Sequence, residues 1–277
     1  MVMGQDEDGR VIRRLLASRM TKATRMSEEC VAILRSIAQP RLFYRQHHKV
    51  PKQRSRGRAV AVAAIVAAAV VAAFAQAGQR HPVSGRVIAR VMGYEGAAWL
   101  ERPEREREEE PSKAIAALDI RPGQVVADVG AGSGYYTVRL AERVGASGKV
   151  FAIDIQPEML TLLRQRVARE RLTQVEVAQA AETDPRLPPN QLDLILMVDV
   201  YHELARPQEV LRQLRTALKP DGRLVLIEFR KESEWVPIRE EHKMSVKEAR
   251  MELEAEGYRF DRVIDVLPWQ HILVFRR

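Results

Sequence analysis

From residue 124 to the C-terminus, short apolar runs alternate with stretches whose apolar residues recur every three or four positions. The runs VVADV, KVFAI and LILMV predict strands at 124–129, 149–153 and 192–198, and the segments 174–178 and 223–229 add two more. Their apolar residues are nearly continuous rather than alternating, which is the pattern of parallel strands covered on both faces. Between them, Tyr136, Leu140 and Val144 fall on one helical face, as do Met159, Leu163 and Val167. Helices are therefore placed at 136–144 and 157–170, with a third at 207–218. Pro157 and Pro207 stand in first turns, where a missing N–H breaks no helical bond. Ser245 followed by Glu248 forms a capping box, and Gly257 is placed to end the helix it opens. Strands around 263–266 and 272–275 close the chain. The whole reads as an α/β protein with an open, doubly wound, mostly parallel sheet and helices on both faces.

The pattern is different before residue 124. Arg121-Pro122-Gly123 is a turn, and Ser112 is placed to cap a short helix through Leu118. Residues 101–111, ERPEREREEEP, form a charge run that reads as a solvated helix face within a mixed lead-in, 76–111. Residues 112–277 are expected to form the ligand-binding domain proper. The uncharged run 59–75 follows four basic residues and ends in Ala73-Phe74-Ala75. Residues 50–75 thus have the parts of a cleaved secretory signal, with a membrane anchor as the alternative, and imply export or membrane association. Residues 1–49 are expected to be a disordered or non-native extension, with Val50 as the true start. Without the signal, the protein would stay in the cytoplasm.

Charge follows the same division. Residues 1–58 carry 14 Lys+Arg and 5 Asp+Glu, leaving 31 basic and 32 acidic side chains in the remainder. The domain is nearly neutral, so no nucleic-acid partner is expected. Its one cysteine, Cys30, lies outside the α/β pattern, which excludes a domain disulfide or a thiolate metal site.

Asp128-Val129-Gly130-Ala131-Gly132-Ser133-Gly134 runs from a buried strand into a helix. Glycines let the backbone turn tightly and approach a ligand, and the helix start offers free N–H groups to an anion. A dinucleotide fingerprint needs G-x-G-x-x-G, and here Tyr135 stands where the last glycine belongs. Asp128 precedes the first glycine by two residues, where it can meet an ammonium group. The amino-acid end of S-adenosylmethionine (SAM) offers both charges. Asp154 ends the next strand, where a carboxylate accepts from ribose hydroxyls.

These residues carry a resemblance to class I SAM-dependent methyltransferases. VVADVGAGSGYYTVRLA is similar to the first motif of that family and VFAIDIQPEML to its ribose-binding segment. LDLILMVDVYHELARPQEVLRQLRTALKPDGRLVLIEFR resembles its fourth strand through its fifth. The resemblance implies strand order 3-2-1-4-5-7-6 with an antiparallel seventh strand. It assigns Asp128, Gly130, Gly132 and Asp154 to SAM, with Gly134 completing the loop and Ile155 beside the adenine. Glu182 is a stand-in for the acid that relatives place near the adenine after the third strand.

Asp199-Val200-Tyr201-His202-Glu203 follows the fourth strand, across the topological switch from the glycine loop. Methyl transfer aligns a nucleophile in line with the leaving sulfur and, for a protic acceptor, removes a proton. His202 is the expected base, oriented by Glu203, with Asp199 as a further catalytic contact. Tyr201, Glu228 and His242 are expected to line the substrate. No metal is expected, since the spacing of His202, His242 and His271 does not require one. The reading is methyl transfer to a small-molecule acceptor. A SAM-binding sensor without activity is the alternative, with a nicotinamide oxidoreductase behind it. Oligomeric state is open.

Overall fold

The computed structural model describes residues 79–277. The expected extension, 1–49, and the signal segment, 50–75, lie outside the described residues. Among the described residues, no helix is long and apolar enough to cross a membrane.

The lead-in holds three short helices, α1 (Ala97–Leu100), α2 (Arg105–Glu108) and α3 (Pro111–Ala117). Strands and helices then alternate: β1 (Val125–Val129), α4 (Tyr135–Val144), β2 (Lys149–Asp154), α5 (Pro157–Arg169), β3 (Val175–Gln179) and β4 (Leu192–Val198). The second half contains α6 (Pro207–Ala217), β5 (Leu218–Arg230), β6 (Lys243–Met244), α7 (Val246–Ala255), β7 (Arg259–Ile264) and β8 (Gln270–Arg276). The sheet order is β3-β2-β1-β4-β5-β8-β7, with β6 paired to the end of β5. β1 to β5 run parallel, and β8 lies antiparallel to both β5 and β7. Apart from the two-residue β6, this is the order that the resemblance implies.

The centre of the sheet is apolar on both faces. One face packs Leu211 and Leu214 of α6 and Leu253 of α7 onto Ile195, Leu224 and Phe275. The other packs Leu140 and Val144 of α4 and Ile115 of α3 onto Val126, Leu194 and Val225. Crossovers on both faces carry the C-terminal ends of β1 and β4 to neighbouring positions, and their following loops open on one rim.

Local signals are realised with three exceptions. Pro157 and Pro207 occupy first turns, Ser245 and Glu248 form the capping box, and Gly257 follows α7 at φ 82°. Ser112 is not a cap: Glu110, in a left-handed conformation at φ 48°, precedes a helix that opens with Pro111. The penultimate strand begins earlier than its apolar residues suggest, because Arg259–Ile264 forms the sheet edge and turns charged side chains to solvent. The charge run is also not simply a solvated face. Glu109 is buried and takes the guanidinium of Arg105 at 2.7 Å and of Arg102 at 2.5 Å. Arg105 lies over the Tyr135 ring at 4.4 Å, on the first turn of α4.

Candidate active site

The glycine loop is held by β2. The N–H groups of Gly130 and Ala131 both donate to the Ile153 carbonyl, at 2.8 and 2.9 Å. Gly130 has φ 77°, and a Cβ there would collide with Val200 in the loop after β4. Gly134 has φ 86°, and its Cβ would lie 2.6 Å from Leu163. Only glycine satisfies both the backbone conformation and this packing. The missing Cβ of Gly130 is also what brings the β1 and β4 loops into contact.

Asp154 braces this loop. One carboxylate oxygen accepts from Gly132 N–H and the other from Gln156 N–H, each at 2.9 Å. Burial raises its pKa, opposed by these backbone bonds. A carboxylate has roughly four lone-pair sites, so capacity remains for a ribose diol. Ile155, next in sequence, is 42 % exposed, an apolar surface suited to a purine face. Asp128 is buried and accepts from Thr137 Oγ1 at 2.6 Å. Burial pushes its pKa up to about 6, assisted by Asp154 and opposed by Thr137. An ammonium group would relieve that cost. The loop, the two acids and the start of α4 thus fit the charges and hydroxyls of SAM. Glu182 lies exposed in the loop after β3, with no feature that marks it for a ligand.

The opposite rim is built around His202. Its Nδ1 lies 2.5 Å from Glu228 Oε2 at the end of β5, while Glu228 Oε1 accepts from Tyr201 N–H at 3.0 Å. Glu228 thus fixes both the turn and the ring. The orienting acid is Glu228 rather than Glu203, because Glu203 lies on the other side of the ring, 3.9 Å from Nε2. That Nε2 is 3.1 Å from His242 Nδ1. Burial raises Glu203 to about 7, against the pull of His202 and the Met92 N–H. Burial and His202 together lower the pKa of His242.

Tyr201 is fully buried among Val210, Leu211 and Leu253, with the Arg86 guanidinium 5.4 Å from its ring. It is a core residue and not the substrate-lining residue its loop position suggests, because its ring is enclosed in the cluster formed with residues of α6 and α7. Asp199 sits at φ 52°, a strained position for a residue with a Cβ. Its Oδ2 accepts from Gln270 Nε2 at 2.7 Å, whereas Oδ1 is buried without a partner. Burial and the nearby Glu109 hold its carboxyl well above the usual range. Gln270 of β8 is not singled out by the sequence, and His271 is singled out only as one of three histidines whose spacing requires no metal. His271 pairs in register with Glu228, and both are buried. Two polar residues at the head of the apolar run ILVF were the available signal.

The lead-in reaches both rims. Met92 donates its N–H to Glu203 Oε1 at 3.2 Å, and its carbonyl accepts from Gln156 Nε2 at 2.9 Å. Leu100 lies against Gly132. Glu101 bonds Ser133 of the glycine loop and Arg166 of α5.

A doubly wound sheet with an antiparallel last strand, a G-x-G-x-G loop and a ribose-type acid after β2 defines the class I SAM-dependent methyltransferase. Residues 120–271, more than half of the chain, match the family described as "Methyltransferase domain", and the chain belongs to that family. A SAM-dependent methyltransferase from Aquifex aeolicus is 32 % identical with a TM-score of 0.63, over 67 % of this chain and 98 % of that one. The ubiquinone/menaquinone biosynthesis C-methyltransferase of Paraburkholderia phymatum is 31 % identical over 125 residues, 45 % of this chain and 50 % of the relative. The chain spans about half the length of the curated relatives it matches. The [4+2]-cyclase SpnF, 15 % identical with a TM-score of 0.52 over 61 % of this chain and 80 % of that one, shares the fold alone. Family and fold place the chain among SAM-dependent methyltransferases, and the nicotinamide reading falls away.

Proposed function

We propose that the protein methylates a small molecule bearing an ionisable proton, and that the rim around His202 removes that proton. SAM, when bound, supplies a methyl group on a sulfonium that departs as a neutral thioether. Asp154 would hold its ribose, and Asp128 would face its ammonium. The contact between Val200 and Gly130 supports placing the acceptor rim beside the methyl group. The carrying observation is the His202–Glu228 pair. With Nδ1–H donated to Glu228, Nε2 bears the lone pair, and the imidazolium formed on proton uptake is stabilised by a buried carboxylate. Asp199 would contact the donor or the acceptor through its unpartnered Oδ1. Residues 92–101 would cover the pocket, since they already bridge the ribose, glycine and acceptor loops.

The curated relative named above is a C-methyltransferase. An acceptor whose carbon becomes nucleophilic when a neighbouring hydroxyl ionises makes the same demand on this rim.

Replacing His202 tests the assignment. His202→Ala should lower turnover by roughly 10²–10⁴ while SAM affinity stays within a few-fold. The acceptor is found first, by screening phenols, amines and thiols for release of demethylated cofactor. Normal turnover of the variant on that acceptor would remove His202 from the chemistry.

A further inference from the structure

We propose that His202, Glu203 and His242 form a binding site for one divalent transition-metal ion. The inference rests on the reading that this rim receives the acceptor, and it names what sits there. His202 Nε2, Glu203 Oε1 and His242 Nδ1 form a triangle with edges of 3.1, 3.6 and 3.9 Å. A point equidistant from the three donors lies about 2.1 Å from each, the bond length of zinc to imidazole nitrogen or carboxylate oxygen. The packing alone therefore spaces these donors for an ion.

The surroundings fix the ligating atoms in place. Glu228 accepts from His202 Nδ1, which leaves the Nε2 lone pair directed at the other two donors. A carboxylate behind a metal-bound imidazole is the usual second support of such a site. Both turns are locked. The His202 carbonyl accepts from Arg86 and from Ala89 N–H, at 3.0 and 3.1 Å, and His242 N–H closes its own turn on Arg239 at 3.0 Å. Without an ion, two imidazole nitrogens and a half-buried carboxylate crowd one point, and only one hydrogen bond of normal length, between the imidazoles, links the three.

Two imidazoles and one carboxylate suit zinc, cobalt, nickel or iron rather than magnesium or calcium. Three protein ligands leave at least one position open, as catalytic zinc sites do. The His242 side chain is 25 % exposed, so the site has an approach from outside. An acceptor oxygen or nitrogen in the open position would lose its proton more readily, and with the Nε2 lone pair held by the ion that proton would pass to solvent water on the exposed side of His242.

The test uses the full chain carrying His47→Ala and His48→Ala, which removes the adjacent histidines near the N-terminus. The protein is stripped with a chelator and titrated with Zn²⁺ by calorimetry and with Co²⁺ by visible absorption. The expected result is one equivalent of either ion and the intense cobalt bands of a four- or five-coordinate site. Glu228→Gln should weaken zinc about 10–100-fold, and His242→Ala by at least as much. Glu203→Gln, which keeps the side-chain shape, is the second ligand variant and guards against a folding artefact. SAM is titrated into the same preparations. SAM binding without stoichiometric zinc, or zinc binding unchanged in both ligand variants, overturns the metal site and leaves the methyl-donor reading standing. Zinc binding without SAM binding supports the metal site and overturns the pocket reading on which its role rests.

Discussion

Asp154 has two tasks that one substitution removes together. It is the proposed ribose acceptor, and it also takes the N–H groups of Gly132 and Gln156. Asp154→Ala should weaken SAM by about 1.5–3 kcal/mol for each charge-assisted bond lost, read by calorimetry. It should also lower the melting temperature of the unliganded protein, because the glycine loop loses its brace. Asp154→Asn, which keeps one acceptor oxygen but sets its amide NH₂ against the other backbone donor, should recover part of the stability and little of the affinity. Unaltered affinity in both variants would remove the residue from the site. Asp128 makes a prediction about pH. Its pKa is raised from 3.8 to about 6, so the native state binds more protons than the unfolded state across that interval. The Asp128 contribution to stability without ligand should therefore fall as pH rises from about 4 to 6 and then level off. Asp128→Asn should flatten that fall in denaturant titrations at several pH values, and an unchanged slope would refute the assignment. Such residues were legible because glycines at special φ and acids at strand ends leave marks in sequence. Gln270 was not, since an antiparallel last strand beside β5 does not by itself show which of its residues meets Asp199. Tyr201 was misread for the opposite reason: loop position suggested access, and the turn geometry denied it.

Elements with internal periodicity were legible nearly to the residue, whereas those whose placement depends on long-range ion pairs were not. Pro157–Arg169 and Pro207–Ala217 follow from apolar spacing and first-turn prolines. The charge run at 101–111 looked solvent-facing because sequence cannot show that Glu109 finds Arg102 and Arg105 in a buried fork over Tyr135. The same holds for residues 79–89, which have no periodicity yet bind closely to the domain. Arg86 donates to Glu252 of α7 through Nε and Nη2, at 2.8 and 3.1 Å, and to the His202 carbonyl through Nη1. His81 lies 3.3 Å from the same carboxylate. This segment thus ties α7 to the turn that carries His202. Breaking a buried pair strands the remaining charge, so Glu252→Ala should destabilise the protein by about 3–5 kcal/mol in denaturant unfolding. Replacing Arg86 and Glu252 together with apolar residues of similar volume should cost clearly less. Equal losses in the single and double variants would show that packing, rather than the ion pair, fixes the segment.

At the scale of the whole molecule, the chain divides by charge and by pattern at the same place. The basic excess lies in residues 1–58, the uncharged run follows, and the domain that matches the methyltransferase family is nearly neutral. Proposed cleavage before Gln76 would leave every contact described for residues 79–89 intact. It would also keep the Ile88 N–H bond to the Gln79 carbonyl at 2.7 Å and the side-chain bond from Gln79 to Ala205. A chain beginning at Gln76 should therefore be soluble and bind SAM within a few-fold of the full chain, with a similar melting temperature. A chain beginning at Met92 should differ sharply. It lacks Arg86 and His81, so Glu252 is left buried without a cation and the His202 carbonyl loses two donors. That truncation should lose about 3–5 kcal/mol of stability on the carboxylate alone, and its acceptor rim should loosen before its glycine loop does. Hydrogen exchange would show this as earlier opening at 200–204 than at 128–134. Mass spectrometry of the protein from its native cell, with an N-terminus at Gln76, would support the export reading. Aggregation of the Gln76 chain under conditions where the full chain is well behaved would overturn the division, since the N-terminal region would then belong to the fold. Equal stability of the chains starting at Gln76 and Met92 would instead show that residues 79–91 lie on the domain without holding it.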